Sequence, residues 1–133
     1  MFQIGWLGVF GAGLAGFAIG GLWYGPLFGK AWQREAGLSD EAIKGANMPL
    51  IFGTTFLLNL IAAFVLSRGL ALHDRPDVAA SAMLGAVIGL AFIGTSIGVS
   101  YLFSRKSLRL FLIDAGYWAI AYTAMGAILA VLG

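Results

Sequence analysis

The chain has 133 residues, of which 60% are hydrophobic and 11% charged, with a net charge of +2 and no cysteine. Soluble domains average about 45–50% apolar and about 25% charged residues, so an ordinary globular domain is excluded, and the lack of cysteine excludes disulfides and thiol chemistry. The eight Lys and Arg residues lie in short loops between apolar segments, where they record membrane topology and do not indicate nucleic-acid binding.

Four apolar segments have roughly the ~20 residues that are needed to cross a bilayer. They take up most of the length and leave room for one domain. The sequence therefore predicts an all-α, polytopic transmembrane four-helix bundle, a single membrane domain over residues 1–133 that is solvated by the lipid bilayer.

The first predicted span, residues 4–24, carries a small residue at every fourth position: Gly8, Ala12, Gly16 and Gly20. This spacing places them on one helix face and allows close packing of a neighbouring helix, with a pore lining or a ligand-facing groove as the alternative. Trp23 and Tyr24 follow as an interfacial anchor. Pro26 makes it costly for the regular helix to continue, so we expect span 1 to end near this proline. A short kinked turn through Phe28 is the alternative.

Residues 29–47 form the longest polar stretch. Ser39 before Asp40 and Glu41 has the pattern of a helix cap and an acidic first turn. This pattern predicts a short amphipathic cytoplasmic helix over residues 39–46, lying near the headgroups.

The second predicted span, residues 49–67, starts with proline and ends before Arg68 and Gly69, which are both stop signals. Asn59 lies at its midpoint, and Thr55 lies one turn earlier on the same face. Because an amide that faces lipid is costly, we expect Asn59 to face protein and to form interhelical hydrogen bonds.

The third predicted span, residues 78–103, repeats the small-residue pattern with Ser81, Gly85, Gly89, Gly94 and Gly98. The fourth predicted span, residues 108–132, contains Asp114, which we place within hydrocarbon depth. Tyr117 and Trp118 lie on the same helix face as Asp114.

An intramembrane carboxylate indicates a functional site, because a charge at the centre of a helix costs ~2.5–3.5 kcal/mol. Polar residues of the four spans lie at the depth of Asp114, and this placement predicts a polar layer that could bind a substrate or an ion. Its predicted members are Trp23, Tyr24, Thr54, Thr55, Thr95, Ser96, Ser100, Asp114 and Tyr117, with Asn59 deeper in the bundle. The alternative is a structural ion pair of Asp114 with Arg34, Arg105 or Arg109.

Six of the basic residues lie in loops 1 and 3, and only Arg68 and Arg75 lie between spans 2 and 3. The positive-inside rule then predicts cytoplasmic loops 1 and 3, with both termini outside the inner membrane. Tyr24 and Tyr101 precede similar Phe and basic residues at the ends of spans 1 and 3. This echo suggests two helical hairpins repeated in parallel; chance similarity of two interfacial helix ends is the alternative.

The segments WYGPLFGKAW, residues 23–32, and YLFSRKSLRLFLIDAGYWAI, residues 101–120, resemble the family called domain of unknown function 1761, small bacterial and fungal membrane proteins. The resemblance covers nearly the whole chain. It implies four transmembrane helices and a membrane location, and it supplies no reaction, cofactor or catalytic residue.

Two functions are open at this level. In the first, the chain is a subunit of a homo-oligomeric transporter or channel for a small solute or ion, with Asp114 in the binding site. In the second, it is a structural subunit that docks a membrane-protein partner through its small-residue faces. An enzyme ranks third, because no paired carboxylates or Ser-His pattern exists at membrane depth. We predict no cofactor, and the single histidine, His73, is a poor signal for a metal.

Overall fold

The computed structural model describes residues 5–133. Four of its helical segments are long and apolar enough to cross a membrane: Trp6–Leu27, Met48–Leu72, Val78–Phe103 and Leu108–Leu132, below called spans 1 to 4. Residues 5–133 contain no strand. The predicted all-α four-helix membrane fold is therefore confirmed, whereas the predicted start of span 1 at residue 4 lies outside the described residues.

Two of the spans contain a π-helical segment. Span 1 is α-helical over Trp6–Leu22 and π-helical over Trp23–Leu27, a segment that includes Pro26. Proline lacks an N–H, and the wider turn is closed by the Phe28 N–H, which donates to the Trp23 carbonyl oxygen at 2.8 Å. Span 3 is π-helical over Ile88–Gly94, which the sequence pattern did not predict.

Loop 1 contains two short helices. Asp40–Lys44 is the helix that the capping pattern predicted, and the Ser39 hydroxyl accepts from the Ala42 N–H at 3.0 Å. Gly29–Ala36 precedes it and ends at Gly37, whose φ of 72° suits a glycine. This helix lies in the stretch that the sequence analysis described only as polar.

Span 2 continues to Leu72, so the predicted end at Ser67 is wrong. Leu70 is buried in the core, and this packing favours another helical turn beyond Arg68 and Gly69. Glycine is common inside membrane helices, where it is a weaker stop signal than in water.

Span 4 is the centre of the bundle and packs against spans 1 and 3, whereas span 2 packs mainly on span 1 and barely touches span 4. A parallel repeat of two hairpins would pair spans 1 and 4 in the same way as spans 3 and 2. Spans 1 and 4 share an extensive interface, whereas spans 2 and 3 have no comparable interface in the described chain, so the repeat stays a prediction. The core lies toward the loop 2 end and contains Val9, Ala12, Ala63, Leu66, Leu70, Met125 and Leu129.

Glycines let spans 3 and 4 approach to backbone contact. A Cβ on Gly85 would overlap the carbonyl oxygen of Tyr122, and a Cβ on Gly89 would lie 2.5 Å from that of Trp118. On span 1, Gly8 lies against Leu132 and Gly133. The small residues of these helices thus lie in interfaces within the chain.

Loops 1 and 3 lie at one end of the bundle, where the Ser107 hydroxyl donates to Glu35 at 2.6 Å. At the other end, Arg75 of loop 2 donates to the carbonyl oxygen of Gly133, after span 4. The six basic residues of loops 1 and 3 therefore lie at the same end of the bundle. Which end faces the cytoplasm stays a prediction.

Candidate functional site

Three spans meet at the carboxylate of Asp114, which lies on span 4 and is only 8% exposed. The Tyr24 hydroxyl of span 1 donates to Oδ1 at 2.6 Å, and the Tyr101 hydroxyl of span 3 donates to Oδ2. The two carboxylate oxygens thus accept from hydroxyls of two different spans.

The π turn of span 1 directs two consecutive aromatic residues onto span 4. Beside Tyr24, Trp23 donates from Nε1 to the carbonyl oxygen of Ile113 at 2.8 Å. Its ring also packs over Gly116, where a Cβ would come within 3.1 Å of the indole. Trp23 thus fixes the end of span 1 beside the residue that precedes Asp114.

Tyr117 lies one turn after Asp114 and is buried. Its hydroxyl donates to the carbonyl oxygen of Gly16 at 2.8 Å, and its ring contacts that of Tyr24 edge-on, with 5.3 Å between centroids. Gly20 faces the same phenol ring. Tyr117 therefore joins the carboxylate site to the small-residue face of span 1.

Asn59 of span 2 lies deeper in the bundle and is 3% exposed. Its Nδ2 donates to the Thr55 carbonyl oxygen of its own helix at 3.0 Å, and its side chain also interacts with the Tyr117 hydroxyl of span 4. Its Oδ1 has no hydrogen-bond partner within residues 5–133, and a Cβ at Gly16 would lie 2.5 Å from this oxygen. The absence of a side chain at Gly16 makes the space that Asn59 occupies.

A cavity of about 800 Å³ lies between spans 1, 2 and 4 at the level of Asp114. Its volume falls within the range of about 300–1,000 Å³ that is typical of small-molecule sites. It is lined by Phe17, Gly20, Gly21, Tyr24, Gly25, Trp32, Ile51, Phe52, Thr55, Asp114, Tyr117 and Trp118. Asp114 is the one acidic side chain in this set, which contains no lysine or arginine.

The cavity is placed toward the loop 1 end and is blocked toward the loop 2 end. Trp32 of the first loop helix and Phe52 in the early turns of span 2 belong to its wall. Beyond Asn59 and Gly16 follow Met125 and Ala12, which are both fully buried. A solute in the cavity would therefore meet a packed core before it reached the opposite end.

Comparison with known proteins bears on these residues. The family described as "Protein of unknown function (DUF1761)" matches the chain over residues 7–130. The chain belongs to this family. Neither a curated protein nor a solved structure matches it.

Both segments that carried the family resemblance contribute to the site. The first, residues 23–32, supplies Tyr24 and Trp32, and the second, residues 101–120, supplies Tyr101, Asp114 and Tyr117. They are distant in the sequence, and the packing of spans 1 and 3 on span 4 brings them together. The signature of this DUF1761 member is therefore assembled around one carboxylate.

Several predicted members of the polar layer do not reach Asp114. Thr95 and Ser96 are exposed, and their hydroxyls donate to Ala91 at 2.7 Å and to Phe92 at 2.6 Å, carbonyls of the preceding π segment. Ser100 and Thr54 are also exposed on the outer surface. Helix depth alone placed these side chains in the layer, whereas their direction around the axis turns them outward. Thr55 is half-buried and lines the cavity.

Sequence reasoning missed two residues of the site. The sequence pattern relates Tyr101 to Tyr24 as similar ends of spans 3 and 1, but it does not indicate that both tyrosines contact Asp114. Trp32 packs edge-on against Tyr24, with 5.8 Å between ring centroids, because the first loop helix folds back over the cavity. No local pattern indicated this return.

The structural ion pair considered for Asp114 is not formed. Arg34 lies beside Glu35, 3.9 Å away, and neither Arg105 nor Arg109 makes a salt bridge to Asp114 in the described part of the chain. Tyrosine hydroxyls take the place of a cation. Among residues 5–133 no three His, Asp or Glu side chains are grouped as metal ligands, and His73 contacts the Gly69 carbonyl oxygen at 2.9 Å.

Proposed function

We propose that this protein is a subunit of a homo-oligomeric membrane transporter that binds a small solute or ion in the cavity at Asp114. The supporting observation is a cavity between membrane-spanning helices that contains the Asp114 carboxyl group and is blocked at one end by a packed core. Membrane transporters commonly bind substrate within the bilayer and expose the site to one side at a time.

The charge of Asp114 supports a binding role. An acid within a membrane span is costly, and within residues 5–133 no arginine or lysine forms a salt bridge with Asp114. Tyr24 and Tyr101 satisfy its oxygens but leave its charge uncompensated. A proton or a cationic solute in the cavity would compensate that charge.

The proposed oligomer follows from the gap between spans 2 and 4. These spans both line the cavity and barely touch each other, so a second copy placed against them would close the open side. We place the assembly in the bacterial inner membrane with loops 1 and 3 in the cytoplasm. Chemical cross-linking in native membranes tests the oligomer: a ladder limited to the monomer would contradict it.

A purely structural subunit is the alternative. The observation that favours it is the hydrogen bond at each oxygen of Asp114, because a carboxyl group held by two hydroxyls can serve to lock three helices together. Docking of a partner through the small-residue faces is disfavoured, because Gly85 and Gly89 already pack against the backbone of span 4.

Flux measurements separate the two functions. Purified protein is reconstituted in liposomes that contain a pH-sensitive dye, and a potassium gradient with valinomycin imposes the membrane potential. We expect proton flux with the wild type and with Glu41→Gln, a change at an exposed loop acid, and no flux with Asp114→Asn. Equal flux from folded Asp114→Asn, or none from the wild type above empty liposomes, would contradict transport.

A further inference from the structure

We infer that the cavity takes a hydrophobic organic cation, whose charge faces the Asp114 carboxylate and whose apolar body packs on the surrounding aromatic rings. This inference rests on the proposed function, because it names the class of solute that the cavity binds. Three features of the wall carry it: its charge, its rings and its few oxygen atoms.

The charge of the wall selects a cation. Among the described residues that line the cavity, Asp114 is the one acid, and none is a lysine or an arginine. The basic residues of loop 1, such as Lys30 and Arg34, are largely exposed and do not belong to the wall. An anion would therefore meet uncompensated repulsion from Asp114 in a poorly hydrated space.

The rings of the wall suit an organic cation. Six aromatic side chains line the cavity: Phe17, Tyr24, Trp32, Phe52, Tyr117 and Trp118. Contacts between the rings include those of Tyr117 with Trp118, at 4.6 Å between centroids, and of Phe17 with Phe52, at 6.1 Å. Aromatic faces attract ammonium-type cations, most strongly where water is excluded, and they bury apolar groups at the same time.

The shortage of oxygen atoms disfavours a bare metal ion. The side-chain oxygens of the wall come from Asp114, Thr55 and the two phenols of Tyr24 and Tyr117. Hard cations take about six to eight oxygen ligands or keep several waters, and a cavity of about 800 Å³ with apolar walls offers no such cage. A bulky cation fills this volume and needs only one charged contact.

The carboxylate can accept such a ligand without losing its tyrosines. Two carboxylate oxygens offer about four lone-pair sites, and Tyr24 and Tyr101 use one each. A quaternary cation needs no hydrogen bond at all, and a protonated amine could use a remaining lone pair.

Two probes of equal shape and opposite charge test the inference. Tetraphenylphosphonium and tetraphenylborate are titrated into full-length protein in nanodiscs of phosphatidylglycerol, a lipid without an amine headgroup, and tryptophan fluorescence and calorimetry report binding. We expect saturable binding of the phosphonium above empty nanodiscs and none of the borate. Equal binding of both ions, or of neither, would overturn the inference.

Matched variants locate the bound cation. Asp114→Asn should weaken phosphonium binding at least about tenfold, Trp32→Leu about threefold or more, and Glu41→Gln not at all. Trp32 lies in a loop helix, so its variant keeps the test valid where Asp114→Asn does not fold. Unchanged affinity in folded Asp114→Asn, or in Trp32→Leu, would overturn the assignment to this cavity.

Two further results separate this inference from the proposed function and from a lipid ligand. Phosphonium binding without any flux would contradict transport and leave the cation site standing, whereas proton flux without phosphonium binding would contradict the cation site alone. Loss of phosphonium binding in nanodiscs that contain phosphatidylcholine would assign the site to a lipid headgroup and overturn the proposal of a free solute.

Discussion

Tyr24 and Tyr101 belong to different spans, yet their hydroxyls donate to opposite oxygens of the same carboxylate. Each tyrosine lies near the end of its span at the same end of the bundle, and Asp114 on span 4 lies between them. Spans 1 and 3 both pack on span 4. The carboxylate therefore joins three helices at a level where water is scarce.

The hydroxyl groups of Tyr24 and Tyr101 should each contribute to the stability of the fold. Tyr24→Phe and Tyr101→Phe each leave one buried carboxylate oxygen without its donor, so we expect each to lower the free energy of unfolding by about 1–3 kcal/mol. Tyr122→Phe is the matched control, because its hydroxyl makes no hydrogen bond in the described chain. Denaturant unfolding in mixed micelles measures the difference.

The double variant Tyr24→Phe/Tyr101→Phe adds a second measurement. Residues that share one partner are coupled, so its loss of stability should differ from the sum of the single losses by about 0.5 kcal/mol or more. Strict additivity, or single variants as stable as Tyr122→Phe, would show that these hydroxyls do not act through a common carboxylate.

Gly85 should be intolerant of any side chain. A Cβ at this position would overlap the Tyr122 carbonyl oxygen, so Gly85→Ala must push spans 3 and 4 apart, with an expected loss of about 1–3 kcal/mol. Gly53→Ala is the control, because no neighbouring atom lies within 4 Å of that Cβ. It should be neutral or stabilise span 2 by up to about 1 kcal/mol, as alanine does in helices. Equal thermal stabilities of the two variants would contradict the close approach.

Asn59→Leu should separate stability from function. Burial of the unpartnered Oδ1 costs about 1–3 kcal/mol, and leucine of similar size removes this polar group, so we expect equal or greater thermal stability. If the amide belongs to the solute path beyond the cavity, the same variant should lose proton flux. A marked loss of stability would instead assign Asn59 a structural hydrogen-bonding role.

The orientation of the chain can be measured directly because it contains no cysteine. Lys44→Cys in loop 1 and Asp74→Cys in loop 2 are both exposed. With a membrane-impermeant maleimide on intact cells, Asp74→Cys should be labelled and Lys44→Cys only after permeabilisation. The reverse pattern would show the inverted topology, in which loops 1 and 3 face outward.

Hydropathy was sufficient to find the four spans, because length and apolarity decide membrane crossing and every span has both, but it did not give the end of span 2. Depth along the helices placed Trp23, Tyr24 and Tyr117 at the level of Asp114, and the structure has all three at this level. It failed for Thr95 and Ser96, because the direction of a side chain depends on helical phase, and a π segment changes that phase. Trp32 required tertiary packing that no local pattern contains.

Each residue of an α-helix turns the chain by about 100°, and a π turn holds an additional residue. The azimuth of Tyr101 is therefore set by the π segment Ile88–Gly94, which precedes it in the same span. Deletion of a single residue there would shorten span 3 by only ~1.5 Å, well within the tolerance of a bilayer, yet it would swing the phenol away from Asp114. An insertion or deletion in this span is thus limited by the rotation that it gives Tyr101 about the helix axis far more than by the change in span length.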